Sequence, residues 1–449
     1  MEKKNSFMQT KPVFSLLLSM SVPMMLSMLI QSLYNIVDSI YVSRLGTDAL
    51  TAVSLAYPLQ NAILSAAVGI GVGISSAISI HLGAGNREKA DRAATLGIAL
   101  TLIHCIFFII AGLTISEPFL KLFTDNPKIL NDASIYTEIV LCLSFGSLFQ
   151  IAFEKIFQGI GEMKITMYLL IAGCVVNIIL DPILIFGLLG FPALGVAGAA
   201  IATDLSQLVS CVLSLRFLMK SEDACRVELS AIRLHRKMAG RIIRVGLPTG
   251  IQNMVISFSN VLVQASVNSY GAAAMAGFAA YMKIDGFNIL PVSSISMAAT
   301  TFVGQNYGAG RLDRVKRSVW VTLAIGVLYT LCTGAALLAG QDAILHLFTA
   351  DEAVVTYGKL AMRWFCPFYF LLSILHGLAG AVRGTGASIP PMVVLLVSLC
   401  LFRVVWIQFL LPFFSGIEGV FILYPVSWGL GALLMILYAW KGKWMEYHT

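Results

Sequence analysis

Charge is scarce in this sequence. Asp, Glu, Lys and Arg make up 12% of its 449 residues, where a soluble domain carries about 25%. Hydrophobic residues make up 58%, and mean hydropathy is +0.85. A chain of this composition cannot hide its apolar surface from water, so a soluble protein is excluded and an all-α integral membrane protein is expected. Metal-ligand and disulfide patterns are missing as well. The eight cysteines are scattered, all but Cys225 in apolar stretches, and read as small buried hydrophobes. The six histidines form no ligand set and no triad, so an enzyme is not expected. The first apolar segment is too long for a signal-peptide core of about 7–15 residues and is followed by no small-residue cleavage pattern, so it reads as a retained helix.

What the chain does have is a series of apolar runs. They predict twelve spans near 13–42, 51–80, 93–116, 133–157, 165–189, 193–218, 242–269, 275–304, 318–340, 355–381, 389–413 and 419–440. Lys and Arg gather on one set of connections, including Lys11, Arg87, Lys89, Arg92, Lys164, Arg311, Arg314, Lys316, Arg317, Arg383, Lys441 and Lys443. The opposite set has only Arg44, Lys121 and Lys128. The positive-inside rule then puts both termini in the cytoplasm. The longest polar stretch, 219–241, is a basic linker. It reads as a cytoplasmic loop at anionic headgroups, not a nucleic-acid site. It divides the chain into lobes at 1–218 and 242–449.

The two lobes repeat. Adding 225 carries Pro23 to Pro248, Gly46 to Gly271, Gly83-Ala84-Gly85 to Gly308-Ala309-Gly310, Leu122-Phe123-Thr124 to Leu347-Phe348-Thr349, and Gly159-x-Gly161 to Gly384-x-Gly386. Chance apolar similarity would not hold one offset across loops. Two six-helix bundles related by a pseudo-two-fold along the membrane normal are the architecture of an alternating-access transporter.

The repeat is most informative where it breaks. Asp38 maps to Val263 and Asp181 to Trp406, so the amino lobe keeps acids that the other lacks. Asp38 is the single charge between Val13 and Val42, in a polar patch with Gln31, Tyr34 and Asn35. Asn177 and Asp181 are at i and i+4, on one helix face. Pro182 frees a carbonyl near position 178. Thr203-Asp204 follows in the next span. At 1.5 Å per residue, Asp181 lies about 24 Å along its helix, Thr203 about 15 Å down the next, and Asp38 about 37 Å along the first. All three fall in the outer half. These hard oxygens suit Na⁺, and paired carboxylates in an apolar lobe equally suit a proton. A structural polar network is the plainer alternative. In the carboxy lobe, Lys283, Asp285, Arg363 and Arg403 read as a buried ion-pair network around Asp285, structural or gating, with a substrate role for Asp285 open. Glu154-Lys155 reads as a local pair. Pro23 reads either as a bend shared with Pro248 or as a hinge coupled to Asp38.

Several motifs together resemble the multidrug and toxic compound extrusion (MATE) family. They are Pro23-x14-Asp38 with Ser43-Arg44-Leu45-Gly46; Gly83-Ala84-Gly85-Asn86; Gln158-Gly-Ile-Gly-Glu-Met-Lys; Asn177-x3-Asp181-Pro182; Gly246-Leu-Pro-Thr-Gly-Ile-Gln252; Gly304-Gln-Asn-Tyr-Gly-Ala-Gly310; and Arg383-Gly-Thr-Gly. The resemblance implies a bacterial plasma-membrane antiporter that exports amphipathic, often cationic, organic compounds against H⁺ or Na⁺. It implies no cofactor beyond that ion, and a monomer. It places the cation site on Asp38, Asn177, Asp181 and Thr203. The NorM-like branch carries a glutamate where this chain has Ile256, so the resemblance points to the DinF-like branch, coupled through its amino lobe. The competing reading is a lipid-linked oligosaccharide flippase of the wider superfamily, which Lys283, Arg363 and Arg403 keep open.

Overall fold

The computed structural model describes residues 7–220, 225, 227 and 235–446. Most of the linker falls outside the described residues, and with it the expectation that it anchors at headgroups. Among the described residues the chain is helical throughout: α1 (Phe7–Thr10), α2 (Val13–Ser43), α3 (Thr47–Gly83), α4 (Arg87–Leu120), α5 (Pro127–Cys142), α6 (Phe145–Ile160), α7 (Met163–Phe186), α8 (Val196–Lys220), α9 (Arg236–Asn268), α10 (Ala272–Gly308), α11 (Leu312–Ala339), α12 (Gln341–His346), α13 (Glu352–Phe365), α14 (Tyr369–Gly384), α15 (Ile389–Leu396), α16 (Phe402–Val405) and α17 (Glu418–Lys441).

Among the described residues ten segments are long and apolar enough to cross a bilayer, α13–α14 and the stretch from α15 to Phe413 each counting as one. The pair α5 and α6, bent by 46°, makes an eleventh. Helix α9, 33 residues long, is the twelfth; Gln252, Asn253, Asn260 and Gln264 make it too polar to pass on hydropathy alone. Each of the twelve expected spans thus coincides with helix among the described residues, eleven of them apolar enough to cross a bilayer.

The ends of the helices have local causes. The Asn86 side chain accepts from Lys89 N at 3.0 Å and opens α4. Asn126 accepts from Lys128 N at 3.0 Å, with Pro127 as the first residue of α5. Gly161 closes α6 at φ 97°, and its counterpart Gly386 stands at φ 90°. Only glycine takes that backbone without strain. The repeat is therefore drawn in the backbone: α3 and α10 have 37 residues each and start 225 residues apart.

Close packing divides the chain into Pro23–Gly250 and a unit of Met1–Val22 with Ile251–Thr449. The sequence places the boundary in the linker, whereas the packing boundaries fall inside α2 and α9. In the first unit α3 packs on α4, α5 and α6, and α7 pairs with α8, which also lies on α5 and α6. Its core runs through Ile74, Ile78, Leu148, Phe153 and Ile156. In the second unit α10 packs on α11, α13 and α14 in the same pattern. Exposed apolar residues keep helical spacing on α4, at Ile103, Ile106, Phe107, Ile110 and Leu113, as lipid-facing surface requires. Among the cysteines, Cys105, Cys174, Cys211, Cys225 and Cys366 are buried, Cys142 and Cys400 are half-buried, and Cys332 departs from the expectation by standing exposed.

Candidate ion site in the amino lobe

Helices α7 and α8 run antiparallel at backbone contact. A Cβ on Gly198 would strike the Leu184 carbonyl, and one on Gly173 would strike Ser210 Oγ. These two contacts fix the register, setting Thr203 and Asp204 of α8 level with the turn Asn177–Asp181 of α7. Asn177 and Asp181 are buried, at 1% and 0% exposure. Asn177 Nδ2 donates to Asp181 Oδ1 at 3.4 Å. Among the described residues Asn177 Oδ1 and Asp181 Oδ2 have no partner, and neither does Asp38 Oδ1 or Asp204 Oδ2.

Helix α2 supplies Tyr34 and Asp38 on one face. Tyr34 lies within electrostatic reach of Asp38 and Asp181, and it borders the same small cavity as Gln207. Asp38 and Asp181 are themselves electrostatic neighbours. Asn35, a quarter-turn off that face, is exposed. Tyr136 of α5 has Asp38, Tyr34, Asp204 and Asp181 all within reach, so it sits among the acids. Thr203 is buried, and its carbonyl accepts from Ser206 Oγ at 2.7 Å.

Sequence reasoning therefore brings Asp38, Tyr34, Asn177, Asp181 and Thr203 to one region, but misses Tyr136. Nothing in the spacing of α5 flags that residue, because its neighbours come from α2, α7 and α8. Asp204 is visible in the sequence only as the neighbour of Thr203. Its burial, at 6% exposure, is what makes it a third acid of the cluster.

The donor set consists of carboxylate, amide and hydroxyl oxygens with unused acceptor capacity. It fits a proton or a monovalent hard cation. Among the described residues no three His, Cys, Asp or Glu side chains come close enough to hold a metal ion together.

The carboxy unit keeps only part of the expected network: Arg403 is an electrostatic neighbour of Asp285, whereas Lys283 and Arg363 stand outside it. Asp285 accepts from Tyr281 Oη at 3.0 Å, and the Tyr281 and Tyr369 hydroxyls are 2.6 Å apart. Lys283 faces elsewhere, exposed, with Nζ 5.9 Å from the Phe348 ring centre. Arg363 is exposed on α13. Residues two apart on a helix point in nearly opposite directions, so Lys283 cannot share a face with Asp285. Arg403 is the basic residue that stays inside. Its Nη1 donates to Asn260 Oδ1 at 3.0 Å, its Nε to Ser427 Oγ at 3.2 Å, and its guanidinium lies 4.5 Å from the Tyr424 ring centre. Ile256, half-buried, stands where the NorM-like branch would have its acid.

The Glu154-Lys155 pair is local as expected. Lys155 Nζ lies 3.1 Å from Glu154 Oε1 and 2.9 Å from Gln158 Oε1. Pro23 lies within an unbroken α2, and its carbonyl accepts from Ser27 Oγ at 2.8 Å.

The sequence profile of the MatE family matches residues 23–183 and 248–407, two stretches whose starts are 225 apart. A probable multidrug resistance protein NorM of Thermotoga maritima is 28% identical over 440 residues, covering 95% of this chain and 92% of that one. A probable multidrug resistance protein YoeA of Bacillus subtilis is 26% identical over 435 residues, covering 94% and 93%. A solved structure of a multidrug resistance MATE family transporter in an outward-facing conformation matches with a TM-score of 0.90 at 25% identity, covering 97% of each chain.

Proposed function

The chain belongs to the MatE family of multidrug export transporters, and on that premise we propose that it is a cation-coupled antiporter that exports amphipathic, often cationic, organic compounds by alternating access. The observation that carries this reading is the set of buried carboxylate oxygens left without partners on Asp38, Asp181 and Asp204. A purely structural network would satisfy its own members, because a buried unpaired polar atom costs about 1–3 kcal/mol. A site that takes up an ion must leave that capacity open. Asp38, Asn177, Asp181 and Thr203 are the proposed coupling residues, with Tyr34, Tyr136 and Asp204 around them. H⁺ or Na⁺ and the exported compound compete for this lobe, or for the lobe states that it controls. Pro23, between Asp38 and the start of α2, is the proposed hinge. The proposed orientation has both termini in the cytoplasm of a bacterial cell, with a monomer as the working unit.

Lys283 and Arg363, which would favour a lipid-linked sugar, are exposed and do not converge with Arg403. Efflux of ethidium from drug-sensitised cells tests the proposal, with wild type, Asp38→Asn and Asp181→Asn at matched expression under a proton or a Na⁺ gradient. Loss in both variants, with one gradient sustaining wild type, is the expected result. A wild type that moves no dye under either gradient refutes the multidrug reading, and unimpaired variants make the cluster structural.

A further inference from the structure

A coupling ion must leave the amino-lobe cluster toward the cytoplasm as well as reach it from outside. Two cavities inside this unit offer a route. The first is bordered by Tyr34, Gln31, Gln150, Asn177, Ser206 and Gln207. The second is bordered by Gln150, Glu154, Thr166, Ser210 and Ser214. They share Gln150, Leu170 and Ser210, so they are consecutive along the seam of α6, α7 and α8. From Asn177 to Thr166 the seam covers about 16 Å of helix α7. It heads toward the end of the bundle where α7 begins and α8 finishes, beside Lys164 and Lys220.

Each cavity is narrow, with room for about one water molecule. A packing defect is lined by apolar groups and stays dry. This seam has apolar walls at Phe157, Leu169 and Leu170, but amides and hydroxyls run along its length, and among the described residues two of its buried oxygens, Asn177 Oδ1 and Thr166 Oγ1, have no partner. Ser210 Oγ donates to the Leu169 carbonyl at 3.0 Å, and Ser214 Oγ to the Ser210 carbonyl at 2.7 Å, so both keep lone pairs free for a water. Glu154 is the single charged residue among those bordering the two cavities; α7 and α8 contribute none. Its Oε1 accepts from Lys155 Nζ at 3.1 Å and from Gln158 Nε2 at 2.6 Å, and its side chain is 22% exposed.

We infer that this seam is a proton path from the Asp181 cluster to the cytoplasmic side, with Glu154 as its terminal relay. The inference rests on the reading of that cluster as the coupling site. At each hydroxyl or water one O–H bond forms as another breaks, so the net change is one H⁺ carried from the cluster to the Glu154 carboxylate and from there to solvent. A file of hydroxyls and single waters passes H⁺ by hopping from oxygen to oxygen, whereas Na⁺ would have to replace its hydration shell with the few oxygens that the seam offers, so the path assigns H⁺ as the coupling ion.

The test uses the full chain in liposomes. Ethidium exchange driven by a pH gradient is read beside internal pH from pyranine, and equilibrium ethidium binding is measured on the purified protein. Gln150→Leu and Glu154→Gln are expected to keep wild-type ethidium affinity while slowing proton-driven exchange about tenfold. Gln150→Glu, which keeps a polar link, restores the rate. A variant that no longer binds ethidium is replaced by Thr166→Val, farther from the cluster. Wild-type exchange rates in the path variants, with Asp181→Asn inactive, overturn the path and leave the coupling site standing. Wild-type exchange in Asp181→Asn overturns both. Exchange sustained by a Na⁺ gradient alone and unaffected by the path variants overturns the assignment of H⁺.

Discussion

Asn177 and Asp181 stand one turn apart on α7, joined by a single 3.4 Å hydrogen bond from the amide nitrogen to one carboxylate oxygen, and among the described residues the amide oxygen of Asn177 and the other carboxylate oxygen of Asp181 have no partner. Two acceptors are thus held open side by side at nearly zero exposure. Such an arrangement stores a cost in the fold in exchange for an ion site. Replacing the desolvated carboxylate by an isosteric amide relieves part of that cost. Asp181→Asn is expected to abolish ion-driven efflux and to raise thermal stability by about 1 kcal/mol. Dye efflux and thermal unfolding on the same preparation check it. A variant that unfolds more easily than wild type would show the carboxylate to be a structural part.

The seam between α3 and α9 depends on missing side chains. A Cβ at Gly69 would lie 2.5 Å from Gly250 N and 2.7 Å from the Gly246 carbonyl, both backbone atoms that cannot rotate away. Gly69→Ala is expected to destabilise by about 1–3 kcal/mol through overpacking. Gly240, on the same helix α9, has nothing within 4 Å of its added Cβ. Gly240→Ala should be neutral or stabilising by up to about 1 kcal/mol from helix propensity. Thermal midpoints of the two variants against wild type separate the predictions, and equal shifts would contradict the close approach.

The spans, the duplication and the pair Asn177 and Asp181 were legible because each depends on short-range period or on one constant offset. The depth arithmetic also put Asp38, Asp181 and Thr203 in one region. Azimuth was not legible. Depth along a helix says how high a residue sits, but not which way it faces once neighbouring helices have packed. Lys283 and Asp285 share a height and point apart for that reason, and Arg363 faces outward while Arg403 faces in. Tyr136 was hidden for a related reason, since its role comes from three helices far away in sequence. Helix α9 shows the opposite case: too polar by averaged hydropathy, it is still recognised as a span from its repeat partner α2.

Arg403 lies in the short α16 between two wider turns, Val397–Leu401 and Trp406–Leu410. Wider turns rotate the residues after them, and here they bring a guanidinium onto Asn260, Ser427 and the Tyr424 face. A lysine keeps the charge but has neither the fork for two acceptors nor the flat face for the ring. Arg403→Lys is expected to cost about 1–3 kcal/mol, read as a lower unfolding midpoint. Asp285→Asn, which keeps acceptors for Tyr281, should shift it less. Equal tolerance of Lys at 403 would mean that the contacts are incidental.

His346 joins two short helices at the end of the carboxy lobe. Its Nδ1 lies 2.8 Å from the Asp342 carbonyl, and its Nε2 lies 3.1 Å from Glu352 Oε1. The backbone carbonyl first and the Glu352 carboxylate second raise its affinity for a proton above the ordinary imidazole value of 6.5. A group whose affinity is raised in the folded state adds stability below its unfolded value. That contribution disappears as pH climbs through the folded value, which here lies above 6.5. The link from α12 to α13 is therefore tightest in mild acid and loosens in alkali. Hydrogen exchange of residues 341–352, corrected for intrinsic rates, should show greater protection at lower pH across that window. His346→Gln should flatten the dependence, because an amide keeps a hydrogen bond but does not titrate. The side chain is exposed and the effect small and local, so the unfolding midpoint of the whole chain should barely move. A dependence of the opposite sign, or one that survives His346→Gln, would assign the titration to another group.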